Sequence, residues 1–366
     1  MGRIVTLMRR RQVRLFSLVA LVVLALRASS ALALTFNLTY DSSTVGAPAD
    51  FFTAFQYAIN FYQTNYTDPI TINLQVGWGK INGQNLSPGN LGQSSAFHRT
   101  SSFSQIKTAL TNDAKSATDA TALANLPATD PTSGASWVMS NAEAKALGLL
   151  AGNATGLDGY VGFNANASYT FDPNNRAVPG KYDFIGLAAH EITEIMGRYG
   201  LGQNGASSGK YSSIDLFRYL SAGTLGLVPA NGAYFSIDGG VTVINMFNGT
   251  GGGDLSDWAG ATVDPYNHNI TLGAKLDESP GDIIEMDALG YDLAVGPPTL
   301  AIASDLSNTL LLSWTSLSTI FKVQTNSSLA TTDWGIANYP IVTSNGTNHT
   351  ASLALPKGNL FFRLME

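Results

Sequence analysis

The sequence predicts an α+β region followed by a small all-β, sandwich-like module. Three observations carry this. Phe51, Phe52, Phe55, Ile59 and Tyr62 recur at helical spacing, whereas Ile70, Ile72, Leu74, Val76 and Trp78 recur every second residue, so helix and strand lie close together in the chain. Pro297 and Pro298, side by side, break any regular element. Beyond them, short alternating apolar runs are separated by Asn-Gly and Ser/Thr-rich turns, the spacing of a β-sandwich. The expected divisions are a leader over residues 1–33, a main domain over 34–294, a linker over 295–298 and the β-module over 299–366.

The elements follow in order. The first helix is expected from Pro48 to Tyr62. The strand after it sets its apolar residues against Thr71, Asn73, Gln75 and Gly77, which predicts one buried and one solvated face. Phe103, Ile106 and Leu110 mark a second helix. Ser140 and Glu143 have capping-box spacing and predict a short helix through Leu150. Asp158 to Asn164 reads as a strand whose glycines place it at a sheet edge. A long helix is expected from Tyr182 to Arg198. Strand-like runs follow at Ile214–Tyr219, Tyr234–Ile237 and Val241–Phe247, between Gly-rich turns. Ser279 as N-cap and Pro280 at the first helical position open a last helix through Leu289. In the β-module, Leu310, Leu312 and Trp314, then Phe321 and Val323, then Phe361 and Phe362 supply the strands. No long-period repeat is present.

The chain has 366 residues, enough for two domains and a sizeable core. Its start reads as a secretory leader. Arg9, Arg10, Arg11 and Arg14 precede an apolar stretch, Leu15 to Leu26, too short to span a bilayer, and Ala31-Leu32-Ala33 matches a cleavage site. An uncleaved membrane anchor is the alternative; Arg27 and the small residues after it favour cleavage. The leader takes six of the 20 basic residues and none of the 26 acidic ones, leaving a mature net charge near −12. That balance argues against nucleic acid as a partner, since phosphate binding needs clustered Lys and Arg. No second apolar run reaches membrane-spanning length. There is no cysteine, so neither a disulfide nor a thiolate metal site can form. Any metal must sit on Asp, Glu and the four histidines, His98, His190, His268 and His349.

Residues 187–198 carry the chemistry. They read Leu-Ala-Ala-His-Glu-Ile-Thr-Glu-Ile-Met-Gly-Arg. A zinc-peptidase helix reads H-E-x-x-H; here His190 and Glu191 are in place and Glu194 stands at the second histidine's position. Positions i and i+4 share a helix face, so His190 and Glu194 can grip one ion. Glu191 lies one step round, within reach of a water on that ion as a general base. The bland reading is an amphipathic helix in which Glu194 pairs with Arg198 at i, i+4, worth about 0.3–0.5 kcal/mol.

Flanking runs extend the pattern. They are Asp158-Gly159-Tyr160-Val161-Gly162-Phe163 before the helix and, after it, Asp215-Leu216-Phe217-Arg218-Tyr219, Tyr234 to Gly240, Asp254 to Trp258, and Glu285 to Tyr291. Together with the helix they resemble a family of secreted bacterial metalloprotease-like proteins whose helix reads His-Glu-Ile-x-Glu-x-Met-Gly-Arg. The likeness covers nearly all of residues 35–294. It implies a metzincin-like catalytic domain, an edge strand before the helix that lines the substrate cleft, and Met286 to Tyr291 in a C-terminal helix. It also implies that the carboxylate at Glu194 is the family's own ligand.

The third ligand is open. Metzincins place it six residues after the second, which here is Gly200, a residue with no side chain to offer. Asp215 is the first candidate, against a turn or helix-cap aspartate as its bland reading; His268 is the runner-up. His98 and His349 read as surface residues. Asp254 and Asp257, after three glycines, suit either calcium or a Gly-Asp turn.

Zinc or another divalent metal is the expected cofactor, and a peptide or protein the expected substrate. Two carboxylate ligands would leave the centre nearly neutral, which predicts weaker or more alkaline peptidase activity than H-E-x-x-H gives, or a harder metal. The competing reading is a binding or cell-surface protein on an inactive peptidase fold. In the C-terminal module Trp314 and Trp334 suit either stacking on polysaccharide or ordinary core packing.

Overall fold

A computed structural model describes residues 33–201, 209–249, 253–260, 263–294, 300–304, 309–315, 322–337, 339–344, 348–354, 356 and 358–365. The expected leader, apart from Ala33, and the expected linker lie outside the described residues. Among those described, no helix is long and apolar enough to cross a membrane.

The chain is mixed α and β. Strands β1 (Thr35–Tyr40), β2 (Thr71–Trp78), β3 (Gly92–Ala96) and β4 (Gly159–Phe163) form one sheet in the order β1-β2-β4-β3. The first three in that order run parallel, and β3 pairs antiparallel with β4 at the edge. Helix α1 (Ala49–Asn65) carries the crossover from β1 to β2. Phe51 and Phe55 of α1 meet Phe163 of β4 and Phe184 in one aromatic cluster, with the Phe163 and Phe184 rings 4.9 Å apart. Edge-to-face and tilted pairs of this kind add packing energy to the burial of large side chains.

Two expectations for this sheet change. The strand at 159–163 is interior, not an edge. Its glycines serve close approach: a Cβ at Gly159 would lie 2.4 Å from Ile195 Cδ1, and one at Gly162 2.3 Å from the Lys80 carbonyl oxygen. The polar face of β2 is covered as well. Asn73 is buried, its amide nitrogen donating to the Ala154 and Gly156 carbonyls and its backbone N–H to Asp158.

Helices α2 (Phe103–Asp113), α3 (Ala117–Asn125) and α4 (Asn141–Ala146) follow, each with a serine cap. Ser140 accepts from the Glu143 backbone N–H as expected, but α4 stops at Ala146 rather than Leu150. Helix α5 (Phe184–Met196) is buried on nearly every face, which explains its apolar composition. It packs against α1 and β3. Asp183 caps it through the Ile185 N–H, so Tyr182 and Asp183 are extended rather than helical. Gly197 ends it at φ 119°, a left-handed conformation that glycine adopts without cost.

The run at 214–219 divides into a 3-10 turn, Ser213–Phe217, and a strand, Arg218–Ser221. That strand joins Thr224–Leu225, Tyr234–Phe235 and Asn245–Met246 in a small antiparallel sheet. Helix α6 (Pro280–Ala288) starts at the Ser279-Pro280 signal. Leu289, Gly290 and Tyr291 lie past its end, where the Tyr291 hydroxyl donates to the Met196 carbonyl at 2.7 Å.

From Ala301 onward the described residues form two sheets. One has the order 301–304, 309–315, 348–354, 341–344; the other has 335–336, 322–326, 361–365. Leu310, Leu312, Trp314 and Ala351 of the first sheet and Val323 of the second share one apolar cluster. His349 is not a surface residue. It is buried opposite Trp314 and stacks on its ring at 5.4 Å. Trp334 carries the Arg363 guanidinium over its ring at 4.5 Å. Trp314, buried and stacked on His349, is a core residue.

Candidate metal centre

Helix α5 lies along a cleft of about 610 Å³. One wall is the edge strand β3 with the turn before it, and the other is formed by residues 253–257 and 267–270. His190 and Glu194 rise from the helix at i, i+4, with His190 Nε2 3.7 Å from Glu194 Oε1. The third carboxylate is Asp257, whose Oδ1 is also 3.7 Å from His190 Nε2. The three donor atoms lie within 4.8 Å of one another.

Asp215 is elsewhere. Its carboxylate accepts the backbone N–H groups of Ser212 at 2.8 Å and Leu201 at 3.0 Å, and faces the Arg218 guanidinium at 3.7 Å. It caps a 3-10 turn. Gly200 is glycine for a related reason, since a Cβ there would lie 2.5 Å from Asp215 Oδ1. His268 lines the cleft, but its Nδ1 bonds to the Trp258 carbonyl and its Nε2 takes the Asn269 amide. His98 is half-buried against the Tyr199 ring, and burial, then Lys210, pushes it down to about 4.

The imidazole of His190 has a fixed orientation. Nδ1 lies 2.7 Å from the Pro265 carbonyl oxygen, which can only accept, so Nδ1 carries the proton and Nε2 offers its lone pair. Burial and then Arg198 push His190 down to about 3, which keeps the ring neutral. Nε2 and two carboxylate oxygens thus converge as three electron-pair donors. That donor set suits a divalent cation: nitrogen and oxygen ligands, an outer-shell bond on the histidine, and an open cleft beside it.

The surrounding side chains shape this set. Ser94 of β3 donates its hydroxyl to Glu194 Oε2 at 2.5 Å, leaving Oε1 toward His190. Glu191 is buried one step round the helix, with Gly92 of β3 against it. A Cβ at Gly92 would lie 2.2 Å from Glu191 Oε1, so the strand makes room for this carboxylate only as glycine. Burial, then Asp254 and Asp257, hold Glu191 well above the usual carboxylate range. Glu194 is raised by burial, Asp254 and Glu191.

Arg198 is fully buried beside Asp257 and Glu194. Its Nη1 bonds to Asp257 Oδ1 at 2.7 Å, its Nε to Thr193, and its Nη2 to the His190 carbonyl, while Glu194 Oε1 is 3.9 Å away. The expected i, i+4 partner is therefore secondary to a tertiary one. Tyr266 lies across the guanidinium face at 4.5 Å.

His190, Glu191 and Glu194 were visible in the sequence as a helical pattern. Asp257, Arg198's pairing with it, Ser94 and Gly92 were not. The weak signal for Asp257 was its place with Asp254 after three glycines, a run that reads more readily as a Gly-Asp turn. Compared with known proteins, the chain matches no protein-family model, no curated protein and no solved structure.

Proposed function

We propose that this chain is a secreted, metal-dependent endopeptidase of metzincin-like fold, with His190, Glu194 and Asp257 as ligands and Glu191 as general base. The observation that carries the reading is the convergence of His190 Nε2, Glu194 Oε1 and Asp257 Oδ1 in a cleft walled by an edge strand. A divalent cation there would polarise both the substrate carbonyl and the attacking water. The protein's own residues do the rest. The Pro265 carbonyl fixes the imidazole tautomer, and Ser94 fixes which Glu194 oxygen faces the centre. Glu191, buried one step round the helix from His190 and against Gly92, would take the proton of the water and return it to the leaving amine. The outer edge of β3 offers backbone groups for an extended peptide.

A second reading rests on Arg198. Its 2.7 Å bond to Asp257 suits a structural ion pair in a binding protein with no metal. Glu191→Gln separates the two. Under the first reading hydrolysis of casein falls by at least about 100-fold with zinc still bound; no hydrolysis in wild type under any metal favours the second, and hydrolysis unchanged in Glu191→Gln removes Glu191 as the base.

A further inference from the structure

Apolar side chains line the cleft beside His190 and Glu194. Leu187 stands one turn before His190 on the same face of α5, and Leu91, Tyr182 and Ile270 line the cleft with it. Tyr182 and Ile270 are half-buried and come from two segments, residues 176–183 and 265–277, that have little regular structure. Arg176 joins both segments to α5 from a buried place outside the cleft lining. Its Nε donates to Asp183 Oδ1 at 3.0 Å and Oδ2 at 2.9 Å, its Nη1 to Asp277 Oδ1 at 2.8 Å, and its Nη2 to the Leu276 carbonyl at 2.5 Å. The planar guanidinium can hold all three partners at once, where a lysine could not. Asp183 completes the staple. Its Oδ2 accepts the Leu276 N–H at 2.9 Å and its Oδ1 accepts the Ile185 N–H at the start of α5. The Arg176–Asp183 pair also closes the loop between them, and in that loop the Lys181 carbonyl accepts the Gly273 N–H at 2.8 Å. Gly186 of α5 records how closely the strap approaches, since a Cβ there would lie 2.4 Å from Leu276 Cβ.

We propose that Arg176 is a positioning residue for substrate recognition: by stapling the 265–277 strap and the 176–183 loop to the start of α5, it holds Ile270 and Tyr182 as walls of a pocket, with Leu91 and Leu187, for a bulky apolar side chain next to the scissile bond. The inference rests on the endopeptidase reading above and gives it a substrate class, peptides with a residue such as Leu or Phe beside the bond cut. The strap's other end is held separately. The Trp258 N–H donates to the Tyr266 carbonyl, the Trp258 carbonyl accepts from the His268 N–H, and the Pro265 carbonyl meets His190 Nδ1. Loss of Arg176 therefore loosens the apolar walls and leaves the donor set of His190, Glu194 and Asp257 in place.

The test combines amide hydrogen exchange with hydrolysis of matched peptides by the zinc-loaded full chain. The peptides carry Leu or Ala, in turn, on each side of the bond cut. Wild type is expected to favour Leu over Ala on one side by at least roughly tenfold in kcat/KM, the discrimination an apolar pocket gives. Arg176→Lys keeps the charge but loses the fork. Its amides from Ile270 to Leu276 are expected to exchange at least roughly tenfold faster, its zinc content to stay at the wild-type level, and its preference for Leu to shrink to about twofold, through the Leu peptide alone. Asp277 is half-exposed and its removal leaves Arg176 on Asp183, so Asp277→Ala keeps the idea testable if Arg176→Lys does not fold. It is expected to move both readouts the same way by about threefold. Wild-type exchange in the strap of the folded variants, or faster exchange with an unchanged Leu-to-Ala ratio, overturns the positioning role and leaves the endopeptidase reading standing. A wild type that cuts the Leu and Ala peptides equally well overturns the pocket. If wild type cuts neither these peptides nor casein with zinc or manganese, the endopeptidase reading falls, and this inference with it.

Discussion

Replacing Gly92 by alanine tests the role of Glu191 without touching any ligand. Gly92 lies on the edge strand directly against this carboxylate. An added Cβ would sit 2.2 Å from Oε1, 2.8 Å from Cδ and 2.9 Å from Cγ of Glu191. To regain ordinary contact at 3.4 Å the carboxylate must retreat by about 1.2 Å. A misplacement of ~1 Å in a reacting group costs on the order of 100-fold in rate. The obstacle is the end of a side chain, so the stability cost stays near the low end of the ~1–3 kcal/mol typical of overpacking. Gly92→Ala is therefore expected to keep its bound zinc and nearly its full melting temperature, and to lose about two orders of magnitude in kcat/KM on a peptide substrate. The assay pairs steady-state hydrolysis with metal analysis of the same preparation. Wild-type activity in Gly92→Ala would refute the assignment of Glu191 as the base. A loss that tracks loss of zinc would move the defect from Glu191 to the ligands.

Two other outcomes follow from the structure. Asp215→Asn disturbs a capping carboxylate, so it is expected to lower stability by about 1–3 kcal/mol in denaturant melts while zinc content stays at the wild-type level. Glu143 is completely buried, and that burial pushes it up to about 8. The folded state thus keeps a proton that the unfolded chain releases near its ordinary value of 4.5. This contribution to stability is fully present below that value and is lost as pH rises toward 8, by up to about 1.4 kcal/mol per pH unit. Glu143→Gln is expected to flatten this part of the stability–pH curve and to gain on wild type at pH 8; equal slopes in urea melts from pH 5 to 8 would contradict the assignment.

How much of this was legible in the sequence depended on distance along the chain. The pairing of His190 with Glu194 was readable because a helix converts a four-residue spacing into a shared face. The Ser279-Pro280 start of α6 and the Leu310, Leu312, Trp314 alternation were readable for similar local reasons. Asp257 was not, because a loop fixes its position through contacts far apart in sequence: Trp258 bridges Phe247 and Asn267, and its indole N–H donates to Asp282 at 2.6 Å. Arg198 looked like an i, i+4 partner of Glu194 until that loop delivered a better acceptor. The glycines of β4 suggested an edge, yet they record the approach of Ile195 and of the Lys80 carbonyl from neighbouring elements. Alternation in β2 gave the strand but not the burial of its polar face, which depends on the loop that brings Asp158, Ala154 and Gly156 to Asn73. A lone histidine in a turn-rich module carried no sign of Trp314 opposite it in register.

The most direct measurement is the metal content of the purified protein set beside Asp257→Asn and Asp215→Asn. Wild type and Asp215→Asn are each expected to hold one equivalent of a divalent ion after equilibration with zinc and gel filtration, and Asp257→Asn almost none. Retention by Asp257→Asn together with loss by Asp215→Asn would contradict the centre described above.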